Sequence, residues 1–295
     1  MLDFRMETFL CVCDHMNYTK ASEELHITQP AVSQHIHYLE KYYNTKLFSL
    51  EGKKLKLTKE GIVLQRVAIK MKNDEMRLKE NFLDMSNMFT ELKFGATKTV
   101  GDFVVPKILS KYMEDYPDTH IYMKVENTSE LLKCLEEGEL DFALVEGYFR
   151  KSEYDHLHYS TENYIGVCSP YYKWKNKPKT MDDLFKERLL VREPGSGTRE
   201  VLERYLELNN YTVDNFIKKV EIGSMHAIKE LCKNGCGITF LYETAVKEEL
   251  DKGNLIPINI EEFNVHHDFT FIWRKDSVYS EVYRTLFERF KVSSI

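Results

Sequence analysis

The sequence predicts an all-α N-terminal domain, one long connecting helix and an α/β domain that makes up the rest of the chain. Two short amphipathic helical patterns separated by a tight turn lie within residues 19–40. Residues 58–90 contain no proline, and strand and helix patterns alternate from residue 92 onward. The 295 residues are enough for two or three compact units, and no apolar run is long enough to cross a membrane.

Residues 19–40 predict two helices joined by a turn at residues 26–27. Thr19 is expected to cap the first helix and Thr28 the second, and Pro30 falls in a first helical turn, where a missing N–H is tolerated. The apolar spacing gives the second helix an inward stripe and an outward polar face. The stripe is Val32, Ile36 and Leu39, and the face carries Gln29, Ser33, Gln34 and His37.

Such an outward face can hydrogen-bond to base edges or phosphates in a major groove, so the pattern favours a helix-turn-helix whose second helix contacts DNA. An ordinary helical hairpin is the alternative. A first helix is predicted beneath the pair, because Met6, Phe9, Leu10 and Cys13 repeat at helical spacing.

After the second helix, KLFSLEGKKLKLT predicts two short strands around a turn at residues 51–52, the wing of a winged helix. Lys53 and Lys54 are expected to lie over the phosphate backbone. The net charge of −6 argues mildly against a nucleic-acid partner, but the charge is segregated. Residues 1–93 carry 14 basic and 13 acidic side chains, against 27 and 34 in the remainder.

Residues 58–90 predict a helix of about 30 residues, about 45 Å long. One register of its apolar seam is Leu64, Met71, Leu78 and Met85, and the second is Ala68, Phe82 and Phe89, interrupted by Glu75. A single helix cannot bury such a seam, so we expect a second copy of the chain to pair with it. The alternative is that the seam packs on the C-terminal domain of its own chain.

The C-terminal pattern is typical of an α/β domain with largely parallel sheets. Predicted strands are 92–96, 120–126, 141–146, 163–168, 188–192, 217–222, 237–241 and 268–273. Predicted helices are 101–115, 129–137, 198–209, 225–234, 242–251 and 279–291.

The segment VREPGSGTREVLERYL predicts a receptor for a small anion. A strand ends at Arg192, a glycine-rich turn follows, and backbone N–H groups at Gly197 join the hydroxyls of Ser196 and Thr198 at a helix start. No lysine follows the second glycine, so this is not a P-loop. A capped helix with a tight turn is the alternative.

Other polar strand-to-helix junctions occur at Thr97 and Thr99, at Thr128 and at Ser224. In open α/β sheets the carboxyl ends of the strands meet at one crevice, so these junctions can converge there. Each of them can instead be a simple helix cap. Glu146 and Arg199 are expected to line the same crevice, unless Arg199 pairs with an acid elsewhere.

Catalysis has little support, so we predict no catalytic residues, no metal site, no cofactor and no enzymatic activity. Cys232 and Cys236 lie one helical turn apart and could bind metal or form a redox pair, although packing in the core is favoured. The six cysteines lack a disulfide framework, and charged residues replace the apolar core of a signal peptide near the N-terminus. Both observations indicate a cytoplasmic protein.

The pattern AxxLxxTQPAVSxxIxxLE is similar to the signature of the LysR-type transcriptional regulators. It is carried by Ala21, Leu25, Thr28, Gln29, Pro30, Ala31, Val32, Ser33, Ile36, Leu39 and Glu40. The resemblance implies that Gln29, Pro30 and Ser33 face double-stranded DNA. The sequence departs from the family at positions where arginine is usual, namely Leu50 and Lys53 in the wing and Gln34 and His37 in the helix. We therefore expect weaker non-specific DNA affinity than is typical.

The resemblance also implies an effector domain like the periplasmic solute-binding proteins, with two subdomains joined by strands that cross near 160–164 and 264–268. Expected boundaries are 1–58 for the DNA-binding domain, 59–90 for the linker helix, 91–161 with 267–295 for subdomain I, and 162–266 for subdomain II. The effector would lie between the subdomains, held by Thr97, Thr99, Thr128, Ser196, Thr198 and Ser224.

The strings GATxTxGxxxxP, LDFALVEG and REPGSGTRE resemble regulators of sulfur assimilation or carbon fixation, which respond to small anions. The resemblance implies a dimer through the linker helix and a tetramer overall. One rival hypothesis is a small-molecule receptor whose N-terminal helices serve assembly only, and a second is a thiol or metal enzyme.

Overall fold

The computed structural model describes residues 2–52, 54–83 and 91–292. The chain forms two compact units, one of residues 1–90 with 136–139 and one of residues 91–135 with 140–295. Within the described ranges, none of the helices combines the length and the apolar character that a membrane crossing requires.

The first unit combines helices with a two-stranded antiparallel wing. Its elements are α1 (Phe4–His15), α2 (Tyr18–Glu24), α3 (Gln29–Tyr42), β1 (Phe48–Glu51), β2 (Lys54–Leu57) and α4 (Lys59–Leu83). The predicted inward stripe of Val32, Ile36 and Leu39 is buried in one core with Phe9 and Ala21. The helix-turn-helix and its supporting first helix are confirmed.

The caps of the helix-turn-helix agree with the sequence at α3 and differ at α2. Thr28 Oγ1 accepts a hydrogen bond from the Ala31 N–H at 3.3 Å, as predicted. The predicted cap at Thr19 is wrong, since Asn17 Oδ1 accepts from the Thr19 N–H at 2.8 Å. Asparagine is as good a cap as threonine and lies earlier, so α2 begins before Thr19. His26 closes the turn with a φ of 53°.

The wing forms as expected, with Leu50 opposite Leu55 and Glu51 opposite Lys54. The predicted contact residue Lys53 lies outside the described residues. Lys56 Nζ lies 2.5 Å from Glu51 Oε2, and Lys46 Nζ lies 2.6 Å from Glu40 Oε2. These pairs offset part of the positive charge that the sequence places after α3.

The predicted seam of α4 is wrong in its register. Ala68 is fully buried in the core of the first unit, and Leu64 packs against the same core, because α1 lies on that side of α4. Met71 is 53% exposed and Leu78 is 47% exposed. Met85 and Phe89, with the side chain of Phe82, lie outside what the structure describes. The exposed apolar stripe consists of Val63, Val67, Met71 and Leu78.

The second unit is an α/β domain, as predicted. Its strands are β3 (Glu91–Ala96), β4 (His120–Val125), β5 (Phe142–Val145), β6 (Tyr154–Cys168), β7 (Arg188–Val191), β8 (Lys218–Glu221), β9 (Thr239–Tyr242), β10 (Ile256–Pro257) and β11 (Val265–Arg274). Its helices are α5 (Lys98–Phe103), α6 (Val105–Asp115), α7 (Thr128–Glu137), α8 (Met181–Leu184), α9 (Gly197–Leu208), α10 (Met225–Lys233), α11 (Glu243–Asp251) and α12 (Ser280–Val292).

The large sheet is mixed and not largely parallel as predicted. Its order is β10-β6-β11-β5-β3-β4, with β9 also paired to β6. β3 is parallel to β4 and β5, but β11 is antiparallel to both β5 and β6. β7 and β8 form a separate parallel pair. The long strands β6 and β11 pair from Tyr154 opposite Arg274 to Tyr164 opposite Val265, through both regions where crossings were expected.

Two further differences from the predicted elements have local causes. The predicted helix 101–115 is two helices, because Pro106 lacks the N–H that would continue the hydrogen-bond ladder across Val104. The predicted strand 163–168 is only the end of β6, whose earlier residues alternate mostly between partly exposed and exposed positions. The ends of β3, β5 and β7 lead directly into the polar residues of the candidate site.

Candidate functional site

The outward face of α3 is the candidate nucleic-acid interface. Thr28, Gln29, Pro30, Gln34 and His37 are exposed and Ser33 is partly exposed. Gln29 Nε2 donates to Ser33 Oγ at 3.1 Å, one turn further along the helix. Lys54 is exposed at the start of β2. All of these side chains are therefore accessible to a bound macromolecule.

A second candidate site lies in the α/β unit, where polar residues from three strand ends meet. Thr198 Oγ1 donates to Glu146 Oε1 at 3.1 Å and lies 3.1 Å from Thr99 Oγ1. The Glu146 N–H donates to Thr97 Oγ1 at 3.3 Å. Either hydroxyl can donate in the contact between Thr99 and Thr198. These four residues form one buried hydrogen-bonded group.

The Glu146 carboxyl lies at the start of α9, where the sequence predicts that a small anion binds. Gly197 permits this approach, because a Cβ there would lie 2.8 Å from Glu146 Cγ and 3.3 Å from the Gly147 backbone. A helix N-terminus favours negative charge, so the side chain of Glu146 serves as an internal acidic ligand of α9.

The same carboxyl is costly to ionise. Burial raises the pKa of Glu146 to about 7, against the hydrogen bonds of Thr99 and Thr198 and the charge of Arg192, which lower it. Desolvation outweighs these contacts because Glu146 is only 2% exposed. The group therefore changes its charge near neutral pH.

Arg192 is a residue of this region to which sequence reasoning gave no role. Its side chain is 2% exposed and its Nε donates to Glu193 Oε2 at 2.8 Å. Lys98 Nζ donates to Glu193 Oε1 at 3.0 Å. Burial raises the pKa of Glu193, but hydrogen bonds from Arg192 and Lys98 lower it to about 2 overall. The sequence could have indicated this residue, because an arginine directly follows the apolar run of β7.

Several buried polar atoms of this unit have no hydrogen-bond partner within the described part of the chain. They include Glu146 Oε2, Thr128 Oγ1 and Arg192 Nη1, and also Thr239 Oγ1 and Glu249 Oε2 elsewhere in the unit. Buried polar atoms are nearly always paired, so an unpaired one marks a position where a ligand or an ordered water can bind. Between them they offer acceptor and donor groups, including one positive charge.

The other predicted site residues fall into two groups. Ser196 is buried at the start of α9, and Thr128 is buried at the start of α7. Ser224 is exposed and its Oγ accepts from the Ala227 N–H at 3.3 Å, so it caps α10. Arg199 pairs with Glu203 at 2.6 Å and with Glu221 at 3.2 Å, which is the alternative that the sequence left open.

The cysteine pair near α10 behaves as packing. Cys232 is fully buried, and its Sγ donates weakly to the carbonyl oxygens of Val167 and Gly237. Burial raises the pKa of Cys232 to about 12, so its thiol is protonated at neutral pH. A thiol without thiolate character is a poor nucleophile.

Comparison with known proteins matches both units to one family. Residues 4–62 match the bacterial regulatory helix-turn-helix protein, lysR family, and residues 89–292 match the LysR substrate binding domain. The HTH-type transcriptional regulator CysL of Bacillus subtilis is 28% identical, over 90% of this chain and 89% of that protein. A probable RuBisCO transcriptional regulator of Cyanidium caldarium is 26% identical, over 87% and 82%.

Among solved structures, full-length LysG of Corynebacterium glutamicum with bound effector Arg superposes with a TM-score of 0.70. It is 17% identical, covering 99% of this chain and 95% of that chain. At this identity the likeness concerns the fold, which combines a helix-turn-helix with a substrate-binding domain of two subdomains. The two family matches and the structure lead to one conclusion: the chain belongs to the LysR family of DNA-binding transcriptional regulators.

Proposed function

We propose that the protein regulates transcription in the cytoplasm by placing the outward face of α3 in the major groove of double-stranded DNA. The observation that carries this proposal is the division of α3 into a buried apolar stripe and an exposed row of hydrogen-bonding side chains. Ser33, Gln34 and His37 would reach base edges, and the wing with Lys53 and Lys54 would contact phosphates. Thr28, Gln29 and Pro30 would lie at the helix end nearest the DNA.

Salt titration of DNA binding tests this proposal. Log affinity should fall linearly with log salt concentration, by about 0.9 per phosphate contact. Lys54→Ala should reduce the slope by about 1, whereas Gln34→Ala should weaken binding to a specific site without changing the slope. Fluorescence anisotropy with a labelled duplex measures both quantities.

Lys107→Ala is the matched control, because Lys107 is an exposed lysine of the effector domain. It should leave affinity and slope unchanged. Negligible binding of the wild type to any duplex, even at low salt, would instead support a receptor whose N-terminal helices serve assembly only.

We also propose that a small anionic effector binds at the start of α9, where Ser196, Gly197 and Thr198 meet Thr97, Thr99, Thr128 and Glu146. The effector's anionic group would take the position of the Glu146 carboxylate at the helix N-terminus, and Arg192 Nη1 and Thr128 Oγ1 would gain partners. What supports this is the cluster of buried polar atoms left without partners. The family's substrate-binding domain and the effector bound by LysG agree with a small molecule.

Replacing Thr198 by valine should abolish stabilisation of the protein by its effector. The substitution keeps the shape but removes the hydroxyl that lies between Glu146 and Thr99. Thermal-shift screening of sulfate, sulfite, thiosulfate, acetylserine and phosphorylated sugars on the wild type identifies the responding anion. Its shift should disappear in Thr198→Val.

Thr239→Val is the control for this experiment, since Thr239 is a buried threonine of β9 in the same unit. It should retain the full thermal shift. A normal response in both variants would show that the effector binds elsewhere, and Ser224 at the exposed start of α10 would then be the next residue to replace.

The proposed organisation follows the expected boundaries, with residues 1–58 binding DNA, 59–90 forming the linker helix and 91–295 binding the effector. We propose that the linker helices pair in a dimer and that two dimers form a tetramer. The exposed stripe of Val63, Val67, Met71 and Leu78 supports the pairing. Since the relatives are named as transcriptional regulators, we assign regulation and no catalytic activity.

A further inference from the structure

Cys11, His15 and Glu24 bring three different metal-binding side chains together in the DNA-binding unit. Cys11 and His15 lie four residues apart on α1 and therefore project from the same side of the helix. Glu24 is the last residue of α2. Cys11 Sγ, a ring nitrogen of His15 and a Glu24 carboxylate oxygen all lie within 4.8 Å of one another.

Two contacts fix the positions of these side chains. His15 Nε2 lies 2.5 Å from Glu24 Oε2. Cys11 is buried with its Sγ 3.8 Å from the Ala21 carbonyl oxygen, which holds the thiol on the side of α1 that faces α2. His15 is partly exposed and Glu24 is exposed, so an ion can enter from solvent.

Thiolate, imidazole and carboxylate are the ligands that Zn²⁺ takes in proteins, with tetrahedral geometry. At bond lengths of about 2.0–2.3 Å, two ligand atoms of a tetrahedral zinc are roughly 3.5 Å apart. Atoms 4.8 Å apart would have to close by about 1.3 Å, and His15 Nε2 and Glu24 Oε2, which are 2.5 Å apart, would have to separate by about 1 Å, both of which side-chain rotation can provide. Water would complete the coordination.

We propose that the DNA-binding domain holds a Zn²⁺ ion between α1 and α2, bound by Cys11 Sγ, His15 Nε2 and a Glu24 carboxylate oxygen. The site lies apart from the effector cluster and revises the expectation, drawn from the sequence, that the chain binds no metal. Binding would tie α1 to the helix that precedes α3, and both helices pack against α3. The metal would thus support the orientation of the DNA-reading helix.

The charges around the thiol make this site dependent on pH. Burial is the largest cause that raises the pKa of Cys11, to about 11 overall, with Glu24 and Asp14 acting in the same direction and Lys72 against them. Zinc must displace the thiol proton, which is released to solvent as the Zn–S bond forms. Affinity should therefore increase with pH.

Cobalt substitution in the full-length protein, freed of metal with a chelator, tests the proposal. Co²⁺ should bind with one ion per chain and give a near-ultraviolet charge-transfer band from thiolate ligation, together with the strong visible bands of tetrahedral cobalt. Zn²⁺ should bleach both. Cys11→Ala should remove the charge-transfer band, whereas Cys13→Ala, also buried on α1, should retain it.

Two surface variants keep the test informative if Cys11→Ala fails to fold. His15→Asn and Glu24→Gln should each weaken Zn²⁺ binding by about 100-fold or more, because even groups that only orient a ligand are worth about 10- to 100-fold. Glu23→Gln, its exposed neighbour on α2, should bind like wild type. Absence of the charge-transfer band in the wild type, its persistence in Cys11→Ala, or unchanged affinity in both surface variants would overturn the proposal.

Discussion

Replacing Glu146 by glutamine should raise the free energy of unfolding of the effector domain at pH 8. This increase should become smaller as the pH falls toward 5. Burial raises the pKa of Glu146 to about 7 in the folded protein, against 4.5 for an ordinary glutamate. The folded state therefore binds more protons than the unfolded state between these values, and stability is lost as pH rises through them. Across this pH range the free energy of unfolding falls by about 3 kcal/mol.

Glutamine cannot ionise, so the variant should show a flatter dependence of stability on pH. It keeps an oxygen that accepts from Thr198 Oγ1, and its size is the same. Urea unfolding of wild type and variant at pH 5, 6, 7 and 8 measures the difference. Glu207→Gln, at an exposed position of α9, is the control and should run parallel to the wild type. Parallel curves for Glu146→Gln as well would show that Glu146 is ionised throughout.

Met71→Glu should lower the oligomeric state of the protein by breaking the α4 pairing and reduce its affinity for a two-half-site operator by about 100-fold or more. Met71 lies in the exposed stripe of α4, and a carboxylate there would be buried without a partner if two copies pair along that stripe. Loss of pairing unlinks the two recognition helices. Two linked binding sites typically bind about 10²- to 10⁴-fold more tightly than a single site. Sedimentation velocity and a DNA-binding titration measure the two effects.

Ile62→Glu provides the matched control for this experiment. Ile62 is also an exposed apolar residue of α4, but helical spacing places it on the side away from the stripe. This variant should keep the oligomeric state and the DNA affinity of the wild type. If Met71→Glu sediments like the wild type, the chains associate through another surface.

The seam of α4 illustrates what a sequence pattern can and cannot determine. The heptad spacing correctly predicted a long helix, but it did not show that α1 covers the side occupied by Leu64 and Ala68. Both registers look alike in the sequence, because apolar residues are required equally in a core and at an interface. Only packing within the domain separates the buried register from the exposed stripe.

The candidate effector site could also be predicted only in part from the sequence. Polar residues after β3, β5 and β7 were predicted to converge, and Thr97, Glu146 and Thr198 do meet. That Glu146 lies at the start of α9 could not be predicted, since it depends on a contact between residues 52 positions apart. Ser224 has the same type of side chain at a similar junction, yet it is exposed. Chain order alone does not distinguish these positions.

The burial of Ala68 has a mechanical consequence for how the two halves of an operator are read. Because α4 is anchored in the DNA-binding domain at this point, we expect the domain and the helix to move together as one rigid arm. The 25 residues of α4 span about 37 Å. A tilt of about 10° would carry the far end of such an arm through about 6 Å, close to two base-pair rises of about 3.4 Å. A small change in the angle between paired arms is thus enough to select differently spaced operators or a bent duplex.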